Sequence, residues 1–252
     1  MPHQKLRKAM LFISLMLFPI TLNYLSPYLI IDAAMQGIIN GSFIIFSFLF
    51  ISSLFLGRYW CSRFCPGGAL QDYAGIVINN KKAKGGKLDL IKYFIWVPWL
   101  GVIISFAFIA GGYTKIDFLY NTPYGISVDE PSRYIIYLAI VFILAASVFI
   151  GGKRAGCHYI CWMAPFMIIG TIIKNYFKWP SYHLEVEPDK CEGCKQCVSR
   201  CQFSAIRFIP SQNRIIIDYN KCFGCGNCRD ACKFDALNLI PREEYPGFTG
   251  EY

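Results

Sequence analysis

The sequence predicts a membrane all-α domain of four transmembrane helices, arranged as duplicated helical hairpins, followed by a small α+β domain. Three observations carry this expectation. The 252-residue chain is 55% hydrophobic, has a mean hydropathy of +0.38 and carries only 16% charged residues, which is too apolar for an ordinary soluble protein. The apolar residues gather into four long runs. All twelve cysteines lie outside those runs, ten of them after the last and eight of those beyond residue 190. The expected boundary puts the membrane domain at 1–180 and the C-terminal domain at 181–252.

The runs cover residues 9–31, 39–56, 91–110 and 134–150 and are almost free of charge. A bilayer core takes roughly 20 apolar residues per helix. A helix buried in a soluble core would carry a polar stripe at the helical period, and none of the four runs does. Charge sets the orientation. Lys5, Arg7 and Lys8 precede the first run, Arg58, Arg63, Lys81, Lys82, Lys84 and Lys87 follow the second, and Lys153 and Arg154 follow the fourth. The opposite connections hold only Lys115 and Arg133, against Asp117, Asp129 and Glu130. Lys and Arg collect on the cytoplasmic side, so both termini are expected there, on a multi-pass protein of the cell membrane. The net charge of +9 then reflects topology and calls for no nucleic-acid partner. Lys5 to Lys8 before an apolar stretch also resembles a signal peptide, but the run exceeds the 7–15 residues of an h-region. An uncleaved helix is expected.

Twelve cysteines on a cytoplasmic face, where thiols stay reduced, point to metal ligation. Cys191, Cys194, Cys197 and Cys201 read C-x2-C-x2-C-x3-C, and so do Cys222, Cys225, Cys228 and Cys232. This spacing wraps three thiolates around one cluster and sends the fourth to the other. Cys191, Cys194, Cys197 and Cys232 are thereby assigned to one [4Fe–4S] cluster, and Cys222, Cys225, Cys228 and Cys201 to the second. The domain is read as a bacterial 2[4Fe–4S] ferredoxin. Zinc sites instead pair two C-x2-C knuckles across a longer gap. Gly193, Gly224 and Gly226 suit the sharp turns beside a cluster. Residues 205–210 and 214–219 read as strands about a turn at 211–213. Gln202 and Lys233 stand where Pro usually follows the fourth cysteine.

The other four cysteines fall in two R-x2-C-x3-C motifs, Arg58 with Cys61 and Cys65, and Arg154 with Cys157 and Cys161. One follows the second run and one the fourth, and each leads into a short apolar segment, 67–78 or 164–177. Lys174 and Lys178, four apart in the latter, suit a helix lying in the headgroup plane. The chain thus reads as an internal duplication. Four thiolates at matching depth suggest a third iron–sulfur cluster at the membrane rim, compensated by Arg58 and Arg154. A four-cysteine zinc site, a redox dithiol and small apolar packing are the competing readings.

Absences narrow the chemistry. His3, His158 and His183 lie outside the runs, so no haem is held by two intramembrane histidines. His158 is a residue that touches a quinone or tunes a cluster, or else an interfacial residue bonded to water or lipid. No Asp, Glu, Lys or Arg lies in the interior of a run, Lys92 marking only the cytoplasmic end of the third, which argues against a proton pump. Gly85-Gly86 and Gly111-Gly112 lack the strand–turn–helix context of a dinucleotide site. With every metal ligand cytoplasmic, the exchange partner is expected to be dissolved in the membrane, a quinone, or a partner protein completing the crossing. No catalytic residue is legible.

The four runs, the paired C-x3-C motifs and the two-cluster domain resemble NapH-type membrane ferredoxins, over about residues 5–240. The same parts occur in NosR and CcoG proteins, which add other domains. Gly57-Arg58, Cys61, Cys65-Pro66 and Gly68-Ala69 match the family's first motif, whereas its second Cys-Pro is replaced by Cys161-Trp162, with Pro165 following. The resemblance implies an electron-transfer subunit of an oxidoreductase, of quinol dehydrogenase type, passing electrons from quinol to partner redox subunits. Two alternatives remain open. One is a membrane base relaying electrons to an outward-facing flavoprotein or cytochrome, docked on the 111–133 loop. The other is a reductase in metalloenzyme maturation. Oxygen-sensitive clusters suggest an anaerobic setting.

Overall fold

A computed structural model describes residues 2–83, 85–210 and 214–241. Lys84 and the expected turn at 211–213 lie outside the described residues. The four apolar runs become helices of unequal length. Residues 88–109 and 131–151 form the two helices long and apolar enough to cross a membrane among the described residues. At 1.5 Å per residue they reach about 31–33 Å.

The first run departs from the expected single span. It is divided into α1 (Pro2–Met16), α2 (Phe18–Thr21), a 3-10 turn (Asn23–Leu25) and α3 (Pro27–Met35). Pro19 and Pro27 lack an N–H and crowd the preceding turn. The backbone groups freed by these breaks find side-chain partners, as an apolar surrounding requires. Ser127 Oγ donates to the Ile20 carbonyl at 2.5 Å and accepts from Asn23 N at 2.8 Å. Ser42 Oγ donates to the Asn23 carbonyl, and Ser26 caps α3 by accepting from Leu29 N.

After β1 (Ile38–Asn40), the second run gives α4 (Gly41–Leu56), which is apolar but only 16 residues long. Two short helices follow, α5 (Tyr59–Arg63) and α6 (Pro66–Val77), then the long α7 (Ile91–Ile109). The loop after α7 is folded. Its strand β2 (Lys115–Asp117) lies parallel to β1, and Tyr120 donates to Asp32 at 2.8 Å while accepting from Gln36 at 2.6 Å. The second repeat runs through α8 (Pro131–Gly151), α9 (Ala155–Tyr159) and α10 (Ala164–Tyr176). The repeats interleave: α6 packs on α8, and α10 packs on α4. Gly170 of α10 makes the latter approach possible, because a methyl there would overlap Ser53 Oγ and press on the Phe50 carbonyl.

The expectation that Lys174 and Lys178 share a headgroup face is corrected here. Lys174 is 6% exposed, and Lys178 lies beyond the helix end in left-handed backbone, φ +53. The loop after α10 leads into β3 (Tyr182–Val186), which pairs antiparallel with β6 (Leu237–Pro241). Between them lie α11 (Gln196–Arg200), β4 (Ile206–Ile209), β5 (Arg214–Ile217) and α12 (Asn227–Asp230), with β4 antiparallel to β5. Leu184, Ile206, Ile217 and Leu237 form this domain's core together with Cys197 and Cys228.

Candidate metal centres

The C-terminal domain is built as two similar halves, and each cysteine loop bends by the same means. Gly193 and Gly224 hold φ near +66, at +65 and +67, a conformation that costs glycine nothing. Two residues on, Lys195 and Gly226 are left-handed at +60 and +78. Each loop then enters a short helix carrying the third cysteine, Cys197 on α11 and Cys228 on α12. Past the fourth cysteine, Ser204 and Asp235 are again left-handed. That turns the next amide onto sulfur, with Ala205 N donating to Cys201 Sγ at 3.3 Å and Ala236 N to Cys232 Sγ at 3.4 Å. This bend takes the place of the proline that Gln202 and Lys233 replace.

The fold brings Cys191, Cys194, Cys197 and Cys232 around one cavity. It brings Cys201, Cys222, Cys225 and Cys228 around another. Burial pushes the Cys197 thiol up to about 11 and the Cys225 thiol up to about 12, although backbone amides donate to both. Such thiols ionise at neutral pH only against a cation, and metal binding is the usual way to release their protons.

The remaining cysteines lie where the two repeats meet. Cys61 sits on α5 and Cys157 on α9. Cys65 is the N-cap of α6, its sulfur accepting from Gly68 N at 3.4 Å. Cys161 precedes α10 and accepts from the amides of Met163 and Ala164. The altered Cys161-Trp162 motif therefore still opens a helix, with Pro165 in its first turn, and Trp162 Nε1 donates to the Leu25 carbonyl at 3.2 Å. The four thiols are close enough that burial, then the other three, push Cys65 well up. Cys161 is pushed up to about 12 by burial, Cys157 and Cys61.

Among the described residues, no three His, Cys, Asp or Glu side chains close on one point as ligands of a single ion would. Zinc takes its four ligands at roughly 2.0–2.3 Å. A four-iron cluster binds each thiolate through a different iron and needs them wider apart. The donor chemistry of the two C-terminal sets, four cysteines each in the C-x2-C-x2-C-x3-C order, fits iron–sulfur clusters.

Buried charge braces the rim set. Arg154 is 0% exposed. It grips Asp72 through Nε at 2.8 Å and Nη2 at 2.6 Å, and donates to the Cys61 carbonyl at 2.8 Å. Burial alone would raise the Asp72 carboxyl, but Arg154, Arg7 and Lys153 hold it below its usual range. Gln71, also buried, accepts from Gly156 N at 2.9 Å and donates to Cys157 Sγ at 3.5 Å. The reading of His158 as an interfacial residue bonded to water or lipid is corrected here. The ring is buried, with Nδ1 on Asp89 at 2.8 Å and Nε2 on the Gln202 carbonyl at 3.3 Å.

Between the rim set and the C-terminal domain lies a dry aromatic junction. Phe203 and Phe223, ring centroids 4.4 Å apart, pack with Cys225 on one side and Cys61 and Cys157 on the other. Arg58 lies 4.5 Å over Phe203, and Arg154 lies 5.4 Å from Phe223, so each repeat's arginine meets one phenylalanine. His158 stacks on Phe203 at 4.6 Å. Polar contacts fix the same docking, with Gln4 donating to the Cys225 carbonyl at 2.7 Å and Lys82 to the Val198 carbonyl at 3.0 Å. The junction was not foreseen, because any apolar residue fits beside a cluster cysteine. Asp72 left a fainter sign, as the one carboxylate between Arg58 and Asp89.

Comparison with known families agrees with the cysteine geometry. Residues 41–84 match a family described as a 4Fe-4S binding domain, and residues 178–242 match a 4Fe-4S dicluster domain. No curated protein and no solved structure matches the chain. The chain is a 4Fe–4S-binding protein with two ferredoxin-type regions, an iron–sulfur electron-transfer protein.

Proposed function

We propose that this 4Fe–4S-binding chain is a membrane-held electron-transfer subunit, working between a quinone in the bilayer and a soluble redox partner. Cys191, Cys194, Cys197 and Cys232 would hold an outer cluster, Cys201, Cys222, Cys225 and Cys228 an inner one, and Cys61, Cys65, Cys157 and Cys161 a third at the rim. Each set, when loaded, supplies a one-electron carrier. The carrying observation is the shared junction, in which Cys225 and the rim residues Cys61 and Cys157 pack on the same pair of phenylalanines.

The chain's own residues give the three sets different surroundings. Cys194 is exposed, so the outer set is open to a partner in water. Phe203 and Phe223 exclude water between the inner and rim sets, and Arg58 and Arg154 offset the negative charge of thiolates there. Amide donors at Cys65, Cys161, Cys201 and Cys232 stabilise thiolate and favour the reduced form of a bound group.

Membrane residence is supported by exposure. Only 11% of the apolar window of 88–109 and 6% of that of 131–151 is buried, whereas a core helix of a soluble protein would be covered. The proposal keeps four spans, the first broken at its prolines, with both termini cytoplasmic from the Lys and Arg distribution. The test is iron and acid-labile sulfide per chain in anaerobically purified protein. Three clusters give roughly twelve iron atoms and the ferredoxin-type pair alone roughly eight. Cys61→Ser and Cys157→Ser should each lose the rim iron while the paired-cluster EPR signal persists. Unchanged iron in both variants rejects the rim cluster.

A further inference from the structure

The two ferredoxin-type motifs share one cysteine spacing and call for groups of one size, yet the hollows beside them differ greatly. The hollow at Cys191, Cys194, Cys197 and Cys232 holds about 20 Å³. The hollow at Cys201, Cys222, Cys225 and Cys228 holds about 590 Å³. A cluster therefore accounts for only a small part of the second. The rest runs between the C-terminal domain and the ends of α4 and α10, within the size range of small-molecule sites.

Its lining is polarised. At the inner end lie Arg58 and Lys174, 3% and 6% exposed. Arg58 Nη1 donates to the Lys221 carbonyl at 3.3 Å, but its buried Nε has no partner. At the mouth stand Phe55, Leu56 and Leu239, all more than half exposed. Among the described lining residues there is no Asp or Glu. The cavity thus offers donors at depth, apolar walls at the opening, and an electron-carrier site alongside. That combination suits a ligand with acceptor oxygens on a flat ring and an apolar tail.

We infer that this cavity binds the ring of an isoprenoid quinone, its carbonyl oxygen toward Arg58 and Lys174 and its tail leaving past Leu56 into the bilayer. The inference rests on the quinone-linked reading and adds to it a location, beside the inner set rather than at His158. An anionic phospholipid shares the acceptor headgroup and apolar tail, and the test must separate the two.

The probe is 2-heptyl-4-hydroxyquinoline N-oxide, a quinol mimic whose fluorescence is quenched on binding, titrated into the iron-loaded full chain in detergent. Quenching at one site per chain is expected. Thr171→Phe, which fills the cavity, and Leu56→Trp, which narrows its mouth, should each weaken binding at least tenfold, and Lys174→Met by several-fold. Iron content and dithionite-reduced EPR should match the parent in Thr171→Phe and Leu56→Trp. Leu56 is surface-exposed, so that variant reports even if Thr171→Phe misfolds. If quinol reduces the clusters of the parent and of Leu56→Trp equally, and probe binding is unchanged, the cavity assignment is overturned while the quinone-linked reading stands. If the parent neither binds the probe nor exchanges electrons with quinol, both fail. Displacement of the probe by phosphatidylglycerol but not by a short-chain quinone assigns the cavity to lipid and overturns the inference.

Discussion

Replacing Arg154 by methionine tests how the rim set is held. Its guanidinium is wholly buried and makes three hydrogen bonds at 2.6–2.8 Å, two to Asp72 and one to the Cys61 carbonyl. Removing it leaves the Asp72 carboxylate, its side chain 13% exposed, with Arg7 at 3.5 Å as its remaining ion-pair partner. Breaking a buried pair from one side costs about 3–5 kcal/mol. Arg7 offsets part of that, so the loss should lie near 3 kcal/mol. Replacing both partners, as in Arg154→Met with Asp72→Leu, should recover most of it, because no orphaned carboxylate remains. Sodium dodecyl sulfate titration of detergent-solubilised protein, followed by tryptophan fluorescence under argon, measures all three. The pH dependence has a definite sign. Asp72 is held below its usual range in the folded chain, so its contribution is complete above the unfolded value of about 3.9 and is lost only as pH falls through the depressed folded value. The gap between the parent and Asp72→Asn should therefore stay constant from pH 8 to pH 5. An Arg154→Met variant as stable as the parent, or a gap that shrinks above pH 6, would refute this account of the rim.

Two other perturbations follow from the packing. Phe203→Ala should cost about 3–5 kcal/mol and raise maleimide labelling of the partly buried Cys61 and Cys157 of iron-free protein, whereas Phe203→Leu should leave labelling near that of the parent. Equal labelling of the two variants would mean that the aromatic junction does not seal the rim. Gly170→Ala should destabilise the α4–α10 contact by about 1–3 kcal/mol through overpacking, and Ser53→Ala in the same chain should restore part of it. A Gly170→Ala chain as stable as the parent in the same titration would contradict the close approach.

What the sequence disclosed, and what it withheld, divides along local and non-local lines. The cysteine loops were legible because a cluster imposes fixed spacing on contiguous residues, and Gly193 and Gly224 stand where that spacing requires positive φ. The gathering of Cys61, Cys65, Cys157 and Cys161 was legible from the repeated arginine-cysteine spacing. The break in the first run was written in Pro19 and Pro27, but hydropathy averages over such residues and returned one span. The grip of Arg154 on Asp72 and the Asn175–Asn220 hydrogen bond beside buried Lys174 join residues 82 and 45 positions apart. No local pattern encodes those. Phe203 and Phe223 carried no signal, since their role exists only once the C-terminal domain is docked.

The interleaving of the repeats bears on how the protein is made. The rim set draws two cysteines from each half, α6 leans on α8 of the second half, and α10 leans on α4 of the first. A nascent chain that has reached residue 85 therefore holds half a ligand set and an apolar α6 with no long helix beneath it. Iron delivered at that stage would meet two thiols and solvent. A metal held by all four cysteines, as proposed above, could be loaded only after the second half is made.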